Sequence, residues 1–297
     1  MTVNKHRIYV LAAAFLWGCI GVYFKELTAL GFEPLQIVLI RSSIAMLGLG
    51  LWLLFTNKDA FRIKLKDLWC FLGTGIVSLL MFNWFIILAI EEVGMAITSV
   101  LLYTAPVFVT VLSLVLFKEK LKHSGWCILA VIVIGCALVS GVIGRISDVN
   151  ISGVLFGLGS GFGYALYSIF SRYALLRNYS PQTISFYTFL FCALACVPFA
   201  ISSGLNPAVQ LNDPAVWVYS LVLGTLGCLF PYWLYTKGLA GLTGAEASMT
   251  ATLEPIVAVL FGVILYKETL MIWQIAGIIL VLGGIILLAR TNSRETG

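Results

Sequence analysis

Seven windows of this chain, residues 68–90, 93–117, 124–144, 149–171, 178–212, 214–236 and 269–289, contain no Asp, Glu, Lys or Arg. A helix needs about 20 residues to cross a hydrocarbon core about 30 Å thick, so each window is long enough to span a bilayer. Three further stretches, 8–29, 35–56 with Arg41, and 244–266 with Glu246 and Glu254, carry only isolated charges. Together they predict ten transmembrane helices. The runs are continuously apolar and lack the polar-apolar alternation of a membrane barrel strand, which makes the fold class all-α.

Composition agrees: 61% of the 297 residues are hydrophobic and 10% charged, against about 25% charged in soluble domains. The net charge of +5 resides in short inter-helix segments rather than a basic domain, which excludes nucleic acid as a partner and leaves the lipid bilayer. The seven cysteines lie in apolar runs without a CxxC, and neither His6 nor His123 completes a ligand set, so no metal or other cofactor is expected. Cys192 and Cys196 share a helix face and read as packing residues, with a metal or redox pair as the other reading. The Lys5-His6-Arg7 start before Ala12-Ala13-Ala14 imitates a secretion signal. Its apolar run is too short for one, so the segment is kept as helix one.

Turn chemistry falls between the spans: Gly31-Phe32-Glu33-Pro34, Asn57-Lys58-Asp59, Ser147-Asp148-Val149-Asn150, Ser180-Pro181 and Asn212-Asp213-Pro214. With the N-terminus inside, fourteen Lys and Arg fall on the cytoplasmic side and three, Lys25, Arg145 and Lys267, on the other. That asymmetry predicts a multi-pass protein of the cytoplasmic (inner) membrane with both termini cytoplasmic.

The chain also repeats itself. A shift of 149 residues superposes Trp84 on Trp233, Ala96 on Ala245, Ser99 on Ser248, Pro106 on Pro255, Lys118-Glu119 on Lys267-Glu268, and Gly135 on Gly284. A shift of 147 pairs Trp17 with Tyr164, Lys25 with Arg172 and Pro34 with Pro181. The expected units are residues 1–146, helices one to five, and 147–297, helices six to ten, forming one transmembrane domain. Five is odd, so the second unit enters the membrane inverted, an arrangement common in secondary transporters.

The stretch Leu102-Tyr103-Thr104-Ala105-Pro106 through Phe117-Lys118-Glu119-Lys120-Leu121, and its counterpart Leu253-Glu254-Pro255-Ile256-Val257-Ala258 through Gly262 to Lys267-Glu268-Thr269-Leu270 and Gly277, resemble the two copies of the EamA-type pattern. Arg41 after Pro34 is also similar to that family, part of the drug/metabolite transporter superfamily. The chain departs from it at Lys267-Glu268, where many members have Gly-Glu. The resemblance implies a ten-helix secondary transporter exporting amino acids, other small metabolites or drugs without ATP, with helices five and ten bracing the outside.

An ionisable side chain inside the bilayer costs roughly 2.5–3.5 kcal/mol on insertion scales, so it must face protein or water. Glu254 is the coupling candidate, as a proton site or a partner for a substrate ammonium. Its bland alternative is a structural acceptor beside the helix break at Pro255. Arg41 clamps a substrate carboxylate, or pairs internally with a carbonyl or with Glu254. Pro106 and Pro255 each remove a helix hydrogen bond and mark hinges near the membrane centre.

Mid-depth aromatic and polar residues form the remaining cavity candidates: Trp17, Asn83, Trp84, Tyr103, Tyr164, Tyr167, Ser168, Tyr232 and Thr250. Their aromatic faces and hydroxyls suit an amphipathic small-molecule substrate. Any one of them is more often a core residue than a ligand contact. Gly153, Gly157 and Gly161 form a GxxxGxxxG face, explained by close helix packing.

The sequence carries no clustered His/Asp or Cys/His set for an enzyme and no Walker motif for ATP drive. The resemblance and the inverted repeat together imply export by alternating access, running either downhill or by proton exchange at Glu254. A flippase for a lipid-linked substrate is the alternative on the same fold. Monomer and homodimer both remain open.

Overall fold

The computed structural model describes residues 2–143, 150–203, 213–267 and 269–293. Arg145, Ser147, Asp148, Val149, Asn212, Glu268 and Arg294, with the boundary at 146/147, lie outside the described residues. Within them the chain is helical throughout, with no strand. In order come α1 (Thr2–Gly18), α2 (Ile20–Ala29), α3 (Pro34–Thr56), α4 (Leu68–Leu72), a π-helical segment (Gly73–Leu80), α5 (Met81–Leu102), α6 (Ala105–Phe117) and α7 (His123–Val139). Then follow α8 (Ile151–Leu176), α9 (Pro181–Ser202), α10 (Pro214–Gly224), a second π-helical segment (Thr225–Leu229), α11 (Phe230–Leu239), α12 (Gly244–Ala251), α13 (Leu253–Tyr266) and α14 (Ile272–Ser293).

Joined across their short breaks, eight helices among the described residues are long and apolar enough to cross a membrane, and α6 and α7 are shorter apolar helices. Sequence windows and helices differ where uncharged residues are polar. The helix Pro181–Ser202 ends inside the window 178–212, with Ser203 at its C-terminal cap, because these serines carry no charge yet favour a helix end. The window 93–117 is not one straight helix. Gly94 inside α5 takes φ 76° and ψ 167°, a conformation only glycine adopts freely, and turns the chain.

Close approach is bought with small residues. The glycine stripe of α8 lies along α5: a Cβ on Gly157 would stand 2.4 Å from Leu101, and one on Gly161 would stand 2.9 Å from the Leu101 carbonyl oxygen. Val93 crowds Gly153 and Phe85 crowds Gly159 in the same way. Helices α7 and α14 pack on each other through Gly135 and Gly277, where a Cβ on Gly277 would stand 2.6 Å from the Gly135 oxygen. The main core gathers Trp17, Leu49, Leu79, Tyr167, Phe189, Tyr232 and Tyr235, contributed by α1, α3, the first π segment, α8, α9 and α11.

The two ends of the bundle are built differently. At the end holding Gly244, Arg177 Nε donates to Asp67 at 3.0 Å and Tyr187 to the Phe61 carbonyl at 2.6 Å. Arg172 meets Glu119 there at 2.8 Å, and Arg7 lies 3.9 Å from Glu246. At the end holding Pro34, Gln36 donates to Ser203 and Ser152 to Glu92.

Backbone irregularities recur at the offsets of the sequence repeat. Lys118 and Lys267, 149 apart, end α6 and α13 in the left-handed region, at φ 56° and 55°. Gly31 and Asn178, 147 apart, also have positive φ before α3 and α9. The π segments at Gly73–Leu80 and Thr225–Leu229 overlap under the same 149-residue shift.

Candidate functional site

Two helix interruptions frame the centre. Between α5 and α6 the helix stops at Tyr103 and Thr104, and between α12 and α13 it stops at Thr252. Each terminal carbonyl row is answered by a threonine three residues on: Thr104 Oγ1 donates to Leu101 O and Thr252 Oγ1 to Met249 O, both at 2.6 Å. A proline follows each interruption, Pro106 the first and Pro255 the second. Both prolines lie in the first turn of the following half-helix, where a backbone N–H has no helical acceptor to lose. The interruption falls on the residues just before each proline, where its missing N–H and its ring oppose a continuous helix.

Glu254 sits one residue inside α13, close to the N-terminal end of that half-helix. Its Oε2 accepts from Tyr164 Oη at 3.4 Å, a long contact. Helix α1 crosses at this level, since a Cβ on Gly18 would stand 2.8 Å from the Glu254 carbonyl oxygen. Glu254, Tyr164, Tyr103, Pro106, Ser248 and Thr252 line a cavity of about 10 Å³, roughly the space of one water. Ser248 Oγ is buried there without a hydrogen-bond partner.

Tyr164 is also a wall of a second cavity of about 10 Å³, shared with Trp17, Tyr167, Ser168, Tyr232, Tyr235, Ser78, Leu79 and Phe82. Trp17 is the hub, with ring centroids 5.2 Å from Tyr232, 5.4 Å from Tyr235 and 6.0 Å from Tyr164. Tyr232 and Tyr164 meet it edge-to-face, which suits opposed ring quadrupoles, while Tyr235 is tilted against it. Hydroxyls are tied off in pairs: Tyr167 with Thr236 and Ser168 with Tyr235, both at 2.7 Å. Of the candidates from the sequence, Trp17, Tyr164, Tyr167, Ser168 and Tyr232 thus line one space. Tyr235 and Phe82 belong with them and were not expected.

Arg41 is buried in α3 and donates through Nη2 to Asn83 Oδ1 at 2.6 Å. Asn83 in turn donates through Nδ2 to Leu79 O at 2.7 Å, which fixes its amide so that the oxygen faces the guanidinium. Arg41 Nε is buried without a partner. No ion pair joins Arg41 to Glu254 among the described residues, and the internal partner of Arg41 is an amide oxygen.

Two expected cavity residues lie elsewhere. Thr250 is buried and donates to Glu246 O within α12, clear of both small cavities. Trp84 faces a separate cavity of about 220 Å³ at the Pro34 end, with Glu33, Leu88, Glu91 and Phe199 among its walls. Its ring meets Phe199 edge-on at 4.6 Å.

Two stretches, residues 5–141 and 151–290, match the EamA-like transporter family. The chain belongs to that family. Along 99% of its length it is 25% identical to a Bacillus subtilis protein named uncharacterized transporter YwfM, of which 97% is covered. It is 25% identical over 99% of its length to the uncharacterized inner membrane transporter YicL of Salmonella typhimurium, of which 98% is covered. A crystal structure of 15% identity superposes with a TM-score of 0.83 over 99% of both chains, which establishes the shared fold. This EamA-family chain is a membrane transporter, and its relatives bear the name of inner membrane transporters.

Proposed function

We propose that this protein is a secondary exporter of a small amphipathic metabolite, of the amino acid class, working by alternating access across the cytoplasmic membrane. The observation that carries the reading is Tyr164. It lines both central cavities and reaches Glu254 beside the interruption between α12 and α13. A broken helix with an ionisable group at its end is the arrangement by which transporters hold substrates and coupling ions at mid-membrane.

The reading counts ten spans, with the turn at Gly94 dividing the long Leu65–Leu102 stretch and α6 completing the span that begins after it. The two matched stretches, the paired left-handed lysines and the paired π segments support two inverted repeats. Helices α7 and α14, packed on each other, brace the assembly. The positive-inside asymmetry supports cytoplasmic termini, which assigns the Gly244 end to the cytoplasm. In this conformation the centre holds only water-sized spaces and the Gly244 end is tied by Arg172–Glu119 and Arg7–Glu246. Export then requires those ties to part, with Thr104 and Thr252 as the hinge positions beside Pro106 and Pro255. Glu254 carries the exchanged proton.

Counterflow in proteoliposomes, with radiolabelled amino acids and small metabolites and with or without a pH gradient, tests the proposal. Saturable, competable exchange of one chemical class is expected, with a pH-gradient effect that Glu254→Gln abolishes. Folded protein that exchanges nothing across the panel would refute the carrier reading. A gradient effect surviving in Glu254→Gln would refute the coupling role alone.

A further inference from the structure

The cavity at the Pro34 end shares no wall residue with the two central cavities. An apolar cavity of about 150 Å³ takes a benzene ring, so 220 Å³ admits a ring with a short polar arm. Its walls include Trp84, Leu88 and Phe199, and its charged members are both acidic, Glu33 and Glu91. Neither carboxylate forms an ion pair among the described residues.

The sequence repeat supplies an internal comparison. The 149-residue shift carries Trp84 onto Trp233, and the 147-residue shift carries Phe199 onto Trp52. The second pair packs as the first does, Trp52 meeting Trp233 edge-on at 5.3 Å. At that other copy an ammonium is already in place: Lys237 Nζ lies 4.9 Å from the Trp233 ring centroid and 4.6 Å from that of Tyr9. The counterpart of Lys237 under the shift is Leu88, a wall of the cavity. One copy therefore carries its cation on its own side chain. The other keeps the tryptophan, replaces the lysine with leucine, and adds two carboxylates to the walls of a cavity.

We infer that the Trp84 cavity is a binding site for a primary ammonium on a small apolar or aromatic body, held against Trp84 and paired with Glu33 and Glu91. The ammonium meets the ring as Lys237 meets Trp233, and cation–π attraction and the carboxylates act in the same direction. The body fills the space between Trp84, Leu88 and Phe199. The site is distinct from the central cavities and its occupancy is independent of whether the chain transports.

Saturation-transfer NMR on the full chain in zwitterionic-lipid nanodiscs, with empty nanodiscs subtracted, tests this with benzylammonium, benzyl alcohol and benzoate. These probes share a ring and differ in charge. Benzylammonium should bind about ten-fold tighter than the alcohol, and benzoate weaker still. Glu33→Gln/Glu91→Gln should reduce the preference for the amine to about two-fold, and Trp84→Leu should weaken the amine about five-fold. Leu88→Lys should supply the internal ammonium and abolish amine binding, whereas Leu88→Met should retain it. Equal binding of the three probes, or an amine preference unchanged in the double carboxamide variant, would overturn the assignment. Because the readout is binding, a failed counterflow experiment leaves it standing, and its own failure leaves the carrier reading standing.

Discussion

Arg172 Nη2 lies 2.8 Å from Glu119 Oε1, while the other Glu119 oxygen accepts the Gly244 N–H at 2.9 Å. One carboxylate thus joins the C-terminal part of α8 to the first N–H of α12, the helix whose interruption exposes Glu254. The N-terminus of a helix favours an anion, and the Arg172 guanidinium reinforces it while also reaching the Leu239 and Leu242 carbonyls.

Both side chains of this pair are mostly enclosed, at 22% and 13% exposure. Removing one partner leaves the other poorly solvated. Glu119→Gln is expected to cost about 2 kcal/mol of stability, and Arg172→Gln a similar amount. The double variant should cost at least 0.5 kcal/mol less than the sum, as roughly expected for side chains in contact. Reversible unfolding in lipid nanodiscs gives the cycle. Strict additivity would show that the two side chains stabilise the fold independently.

The Arg41–Asn83 pair is more deeply enclosed, with Arg41 6% and Asn83 5% exposed. Asn83→Ala removes the acceptor and leaves a second guanidinium nitrogen without a partner beside the already unpartnered Nε. A loss of about 3 kcal/mol is expected. Asn83→Asp keeps an oxygen acceptor at the same reach and should lose much less. Thermal unfolding of the two variants side by side decides the matter, and an equal loss would show that Asn83 matters for its own packing rather than for Arg41.

Glycines separate into those that packing requires and those it does not. A Cβ at Gly161 would stand 2.9 Å from Leu101 O and 3.1 Å from Leu102 O, both backbone atoms that yield only if α5 and α8 part. Gly161→Ala should therefore destabilise by about 1–3 kcal/mol. Gly21 in α2 has nothing within 4 Å of the same built position. Gly21→Ala should be neutral or stabilising by up to about 1 kcal/mol, from helix propensity. Similar unfolding midpoints for the two variants would contradict the close α5–α8 contact.

The all-helical, membrane-spanning character was legible because a charge-free run of sufficient length has one low-energy solution in a bilayer. Helix ends were less so, as α9 shows: Ser202 and Ser203 read as membrane interior by charge but terminate the helix. The interruptions were located within a few residues by Pro106 and Pro255, and at each of them a threonine hydroxyl, Thr104 or Thr252, bonds back to a carbonyl three residues earlier. Such bonding leaves no pattern in a uniformly apolar stretch. The site shows the same limit. Trp17, Tyr164, Tyr167 and Tyr232 converge, yet Tyr235 and Phe82 were missed and Trp84 went to a different cavity. When every face of a helix is apolar, hydrophobic periodicity does not say which aromatic turns inward.

Tyr164 makes the sharpest distinction between packing and polar roles at the centre. Its ring meets Trp17 at 6.0 Å and Phe82 at 5.7 Å, while its hydroxyl alone reaches Glu254. Tyr164→Phe preserves both ring contacts and removes one long hydrogen bond, so stability should change by less than about 1 kcal/mol. Tyr164→Ala removes the wall common to both small cavities and should cost about 3–5 kcal/mol, as large-to-small core changes do. Joining the two spaces should also admit bulkier substrates in counterflow, which Tyr164→Phe should not. If the alanine variant kept wild-type stability and selectivity, Tyr164 would not divide the centre of this protein. If the phenylalanine variant lost as much as the alanine one, the hydroxyl and Glu254, rather than the ring, would hold the centre closed.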